Sequence, residues 1–84
     1  MSKPLRYTQH SLDVMRERAI ELTWVERTVA RPEWSEPDPL DDAVERRFAK
    51  VPERGGRYLR VACVETFTEI RILSTFLDRG AKPK

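Results

Sequence analysis

Two stretches near the C-terminus, RYLRVACV at 57–64 and EIRILSTF at 69–76, constrain this chain most. Both alternate β-branched, aromatic or long aliphatic residues with polar ones, and only ETFT separates them. That pattern reads as an antiparallel hairpin. Upstream, VERRFAKV at 44–51 reads as a weaker strand. It is joined to the hairpin by PERGGR, whose Gly55 and Gly56 supply the positive φ of a tight turn. A short strand around 4–7, PLRY, adds to the sheet edge.

The first part of the chain carries a different period. Thr8 is placed to cap a helix over 9–19, with Leu12, Met15 and Ala19 on its apolar side. TWVE at 23–26 has the form of a capping box, so Thr23 is expected to open a second helix, with Val25 and Val29 as its inward pair. Pro32 stops that helix and restricts Arg31. PEWSEPDPLDD reads as a loop, rich in proline and other turn formers. Trp34 within it either folds back over the core as a lid or stacks on a ligand. The order (β)ααβββ predicts an α+β domain: a two-helix hairpin packed on one face of a twisted antiparallel sheet of three to four strands.

Eighty-four residues make room for one domain, 1–84, and not for two cores. The lone Cys63 excludes an internal disulfide and a cysteine-rich zinc site, and reads as a core residue in a reducing compartment. MSKPLRYTQ has no apolar signal-peptide core, and no apolar run reaches the roughly 18–20 residues of a membrane span. A cytoplasmic location is expected, with no membrane, metal or cofactor. Net charge is only +2, but it is unevenly spread. Residues 44–84 hold ten basic and five acidic side chains, whereas SEPDPLDDA holds four acids and no base. A basic half attracts phosphate or an acidic protein.

Pairing Val64 with Glu69 across the turn puts Leu59, Val61, Cys63, Ile70, Ile72 and Phe76 on the core face. Tyr58, Arg60, Arg71 and Thr75 then share the other face. Keeping Phe48 in the core adds Arg47 to the arginine face. In this register Arg71 lies diagonal to Arg60, about 7–8 Å away at Cα, near enough for both guanidinium groups to hold one phosphate. Arg47, Arg57, Tyr58, Arg60 and Arg71 are therefore the expected nucleic-acid-binding set. For metal-independent RNA cleavage the catalytic set is His10 as acid or base with Arg60 and Arg71 on the phosphate. His10 is the only histidine. On a helical wheel it points away from Leu12, Met15 and Ala19, on the side of Asp13 and Glu17, as a surface histidine does.

The run HSLDVMRERAI at 10–20 resembles the H-A-x-x-R-M-x-E-R-G-I opening of a small bacterial domain family of unknown function. The likeness continues through WVERTVARP, WSEPDP, GGRYLRV and ILSTFLDR. His10, Met15, Glu17, Arg18 and Ile20 match the opening, while Val14 and Ala19 replace its first arginine and its glycine. Gly56, Arg57, Leu59, Arg60 and Val61 match a second motif, and Asp78 and Arg79 the last. More distantly, the family resembles the RelE/ParE-type toxin superfamily. That resemblance implies a RelE-like fold, many of whose members cleave messenger RNA and are neutralised by an antitoxin. Two functions stay open at this point. One is a toxin-like RNA-binding domain, with or without endoribonuclease activity. The other is a non-catalytic protein-interaction module on the same fold.

Overall fold

The computed structural model describes residues 3–83. The chain runs β1 (Leu5–Tyr7), α1 (Gln9–Arg18), α2 (Leu22–Ala30), β2 (Trp34–Pro37), β3 (Glu45–Val51), a 3-10 turn (Pro52–Arg54), β4 (Arg57–Glu65) and β5 (Ile70–Asp78). The class is α+β, but the sheet has five strands in the order β1-β5-β4-β3-β2, and it is mixed. β1 pairs parallel to β5, and the other pairs are antiparallel. The extra strand, β2, comes from the segment expected to be all loop. Its Pro37 is tolerated because β2 is an edge.

Thr8 caps α1 as expected, its hydroxyl accepting from the N–H of Ser11 at 3.1 Å. The inward side differs from expectation: Ser11 and Met15 are buried, whereas Leu12 and Ala19 are exposed. Ala19 ends the helix in a left-handed turn at φ 55°, with the N–H of Ile20 donating to the Met15 carbonyl at 2.9 Å. This is a Schellman-type stop, and its apolar pair, Met15 and Ile20, enters the core. A non-glycine residue in that conformation costs about 1 kcal/mol, which is why glycine suits this position. The capping box at Thr23 does not form. Glu21 caps α2, and its carbonyl already accepts from Trp24 and Val25. Thr23 therefore lies within the first turn. Val25 and Val29 are buried as expected, and the helix stops at Ala30 ahead of Arg31 and Pro32.

Both helices cover one face of the sheet, where Leu59, Val61, Cys63 and Ile72 are fully buried beneath Val25 and Met15. Burial pushes the Cys63 thiol above its ordinary range. The β4–β5 register is shifted from the expected one: Val64 faces Arg71, not Glu69. An irregularity then follows between Ala62 and Cys63, where Ile72 is succeeded by Ser74 as the cross-strand partner. The extra residue, Leu73, reverses the sides of all later β5 residues. Thr75 is thereby buried and Phe76 exposed, the opposite of the expectation. In β3, Arg47 faces Val61 and Phe48 faces Arg60. Arg47 thus points to the helices and Phe48 to the open face, a one-residue slip from the expected hairpin.

Arginines close both helix ends. Arg47 Nη1 donates to the Val29 carbonyl at 3.1 Å, and Arg54 Nη1 to the carbonyls of Arg18 at 3.3 Å and Ala19 at 3.5 Å. Those carbonyls lie in the last turns, where helical partners run out and the dipole favours a cation. Arg47 also holds Glu45 and Glu65, each at 2.6 Å.

Ion pairing sets an acid limit. Hydrogen bonds from Lys3 and then Arg47 hold Glu65 below the ordinary carboxylate range. The Arg27 pair does the same for Glu53, and the Leu40 N–H, followed by Arg46, does so for Asp38. Each lowered value means that the unfolded chain binds the proton more tightly. The stabilisation is complete above the ordinary carboxylate values and is lost as pH falls through the lowered folded-state values. Tm is expected to be flat between about pH 5 and 7 and to fall below about pH 4.5. A Tm that rises on acidification through that window contradicts the assignment.

Candidate functional site

The sheet face away from the helices is built by the pairing pattern itself. Trp34 pairs with Phe48, Phe48 with Arg60, and Arg60 with Phe76. Since paired residues share a face, one row crosses β2, β3, β4 and β5: Trp34, Phe48, Arg60, Phe76. The Trp34 and Phe48 rings stack with centroids 4.7 Å apart and planes 6° apart. Tyr58, in the next row, meets Trp34 edge-on at 5.1 Å. The Arg60 guanidinium lies 4.9 Å from the Phe76 centroid and pairs with Asp78 at 3.0 Å. The Lys50 ammonium sits 5.7 Å from the Tyr58 centroid.

Beyond β5 the chain turns back over this face. The N–H of Gly80 donates to Asp78 Oδ1 at 2.9 Å, and residues 80–82 wall a cleft of about 300 Å³ with Trp34, Arg46 and Arg60. A second cleft, of about 450 Å³, opens on the other side of Asp78 and Gly80, among Arg18, Arg54, Arg57 and Arg79.

The sequence-derived site is only partly assembled. Tyr58 and Arg60 lie on the open face, as expected. Arg71 is on the same face, but it stands opposite Val64, four residues along β4 from Arg60. That is about 13 Å along the strand, too far for one phosphate, and Arg71 instead meets Glu69 at 3.5 Å. Arg47 is on the helix side. Arg57 is exposed at the start of β4 and borders the second cleft. His10 is exposed on α1, on the helix-bearing side, and does not meet Arg60. Sequence reasoning missed Trp34, Phe48, Lys50 and Phe76 as members of one surface. The residues are scattered over 43 positions, and only the strand register brings them together.

A family model for a domain of unknown function, DUF4258, matches residues 7–76. The chain belongs to this family. The DUF4258 match spans both helices and the whole row from Trp34 to Phe76, and stops before Asp78 and Arg79. No curated protein and no solved structure matches the chain. Membership therefore establishes kinship, while the chemistry has to be argued from the residues. Among the described residues, no helix is long and apolar enough to cross a membrane.

Proposed function

We propose that this DUF4258 domain is a toxin-like RNA-binding domain whose open sheet face receives a single strand. The observation that carries the reading is the row Trp34, Phe48, Arg60 and Phe76 across four strands, flanked by Tyr58 and Lys50. Phe48 is buried beneath Trp34 and supports it, while Trp34, Tyr58 and Phe76 reach the surface. Sheets that bind single-stranded RNA present aromatic rings for base stacking beside cations for the backbone. The toxin-like part rests on the sequence resemblance, and a helical hairpin followed by a β-meander is in keeping with it. The reading is one of binding: cleavage needs an acid or base beside the strand, and His10 lies across the sheet. A cytoplasmic setting goes with this role, as does an acidic antitoxin-like segment that competes for the same basic and aromatic surface.

Titrating a short oligoribonucleotide at low salt is the test. Trp34 fluorescence is expected to quench on binding. The Trp34→Phe variant, whose remaining Trp24 is in the core, is expected to show no quenching. With Lys50, Arg60 and Lys82 on or beside the face, the log–log salt slope is expected near −2, at about −0.7 per phosphate. Absence of RNA binding at low salt defeats the reading. So does binding that leaves Trp34 unquenched.

A further inference from the structure

The chain has twelve arginines. Seven of them, at positions 6, 16, 27, 46, 47, 60 and 71, hold a carboxylate within 4.0 Å. Among the described residues, Arg18, Arg31, Arg54, Arg57 and Arg79 hold none. All of these except Arg31 border the single cleft of about 450 Å³. They arrive from four separate places: the last residue of α1, the end of the 3-10 turn, the first residue of β4, and the residue after β5. Among the described residues, the one acid at the cleft is Asp78. Its Oδ2 is taken by Arg60 at 3.0 Å and its Oδ1 by the Gly80 N–H at 2.9 Å. Four arginines without a carboxylate of their own therefore line one cleft, on a surface that pairs most other arginines. Of these four, Arg54 also bonds the end of α1 and lies over the Trp24 ring at 5.9 Å.

Guanidinium groups suit phosphate because their planar N–H pairs match two oxygens at once. The number of cations points to the kind of phosphate. An internal phosphodiester carries one negative charge, whereas a phosphomonoester carries about −1.5 to −2 at neutral pH. Phe76 borders both this cleft and the aromatic row, with the Arg18 guanidinium 5.8 Å from its ring. The two clefts also share Asp78 and Gly80. A strand lying on the sheet face would thus bring its end to the arginines.

We propose that the Arg18, Arg54, Arg57 and Arg79 cleft is a phosphomonoester site. On the RNA reading above, on which this part rests, the group bound is the terminal phosphate of the strand. Arg54 also braces the end of α1, so the informative variants are Arg57→Gln and Arg79→Gln together, with Arg31→Gln as control. Oligoribonucleotides of one sequence are compared with a phosphate or a hydroxyl at each end. Inorganic phosphate is titrated separately while the arginine Nε–H resonances are followed by NMR.

Phosphorylated RNA is expected to bind at least about tenfold more tightly than its hydroxyl counterpart. The double variant is expected to abolish that difference, and Arg31→Gln to keep it. Inorganic phosphate is expected to shift the Arg57 and Arg79 resonances. Equal affinity for phosphorylated and hydroxyl RNA, with no response to inorganic phosphate, overturns the cleft assignment and leaves the RNA reading standing. A phosphate response confined to these arginines, with no RNA bound, supports the cleft and defeats the RNA reading.

Discussion

Replacing Arg47 with methionine is expected to lower stability by about 2–3 kcal/mol, through loss of a helix cap and an ion-pair network together. The methionine keeps most of the aliphatic stem, so packing along the side chain is largely preserved. The guanidinium is lost, and with it three interactions: Glu45 at 2.6 Å, Glu65 at 2.6 Å and the Val29 carbonyl at 3.1 Å. The Arg47 side chain is only 13% exposed, whereas its two carboxylate partners are 44% and 42% exposed. Those carboxylates can rehydrate, which keeps the cost below that of a fully buried broken pair, about 3–5 kcal/mol. The Val29 carbonyl has less recourse, because it lies at the end of α2 against the sheet. For a domain of this size the loss corresponds to a fall in Tm of about 10–20 °C. Arg16→Met is the control: its pair with Asp13 is exposed, and its loss should stay within about 0.5 kcal/mol. Equal Tm values for the two variants would show that Arg47 does not hold α2 to the sheet.

Arg47 also marks where the sequence stops being legible. Its strand, ERRFAKV, has arginines on two successive positions, so alternation does not say which of them faces the core. Phe48 looks like the inward residue by hydrophobicity and is in fact 3% exposed. It is buried from the other side, by Trp34. The two strands with strong alternation were legible in composition and face up to Ile72. Beyond that, the unpaired Leu73 exchanged Thr75 for Phe76, and nothing in the composition of EIRILSTF marks an extra residue. The expected anion pair Arg60–Arg71 does not form for a related reason: six residues, not the expected four, separate Val64 from its partner across the turn, and this moves the arginines apart along the sheet. Helix existence, the Thr8 cap and the stop before Pro32 were legible because they depend on local chemistry. The second cleft was not, since it joins residues from positions 18, 54, 57 and 79 that only the tertiary fold brings together.

Trp34→Ala is expected to cost about 3 kcal/mol and to loosen β2 before the rest of the sheet. β2 has only four residues and lies at the edge, so backbone pairing to β3 is its main other tether. The Trp34 ring covers Phe48, stacking at 4.7 Å, and touches Tyr58 edge-on at 5.1 Å. Removing it uncovers much of a phenyl group whose full burial is worth about 1.5–3 kcal/mol. It also removes aromatic pairs worth about 0.5–1.5 kcal/mol each beyond their area. Amide exchange should report this locally. The Glu33 N–H, which donates to the Phe48 carbonyl at 2.7 Å, is expected to exchange much faster in the variant, while amides in β4 and β5 continue to follow global unfolding. Trp34→Phe should retain the stack and lose less than about half as much stability. If Trp34→Ala leaves stability within about 0.5 kcal/mol, the ring is a surface group available for a ligand and not a brace for the edge. If the expected loss is found, the ring holds the edge strand, and a binding defect in the alanine variant then says nothing about stacking on a ligand. In that case only the phenylalanine variant separates binding from folding, because alanine removes both.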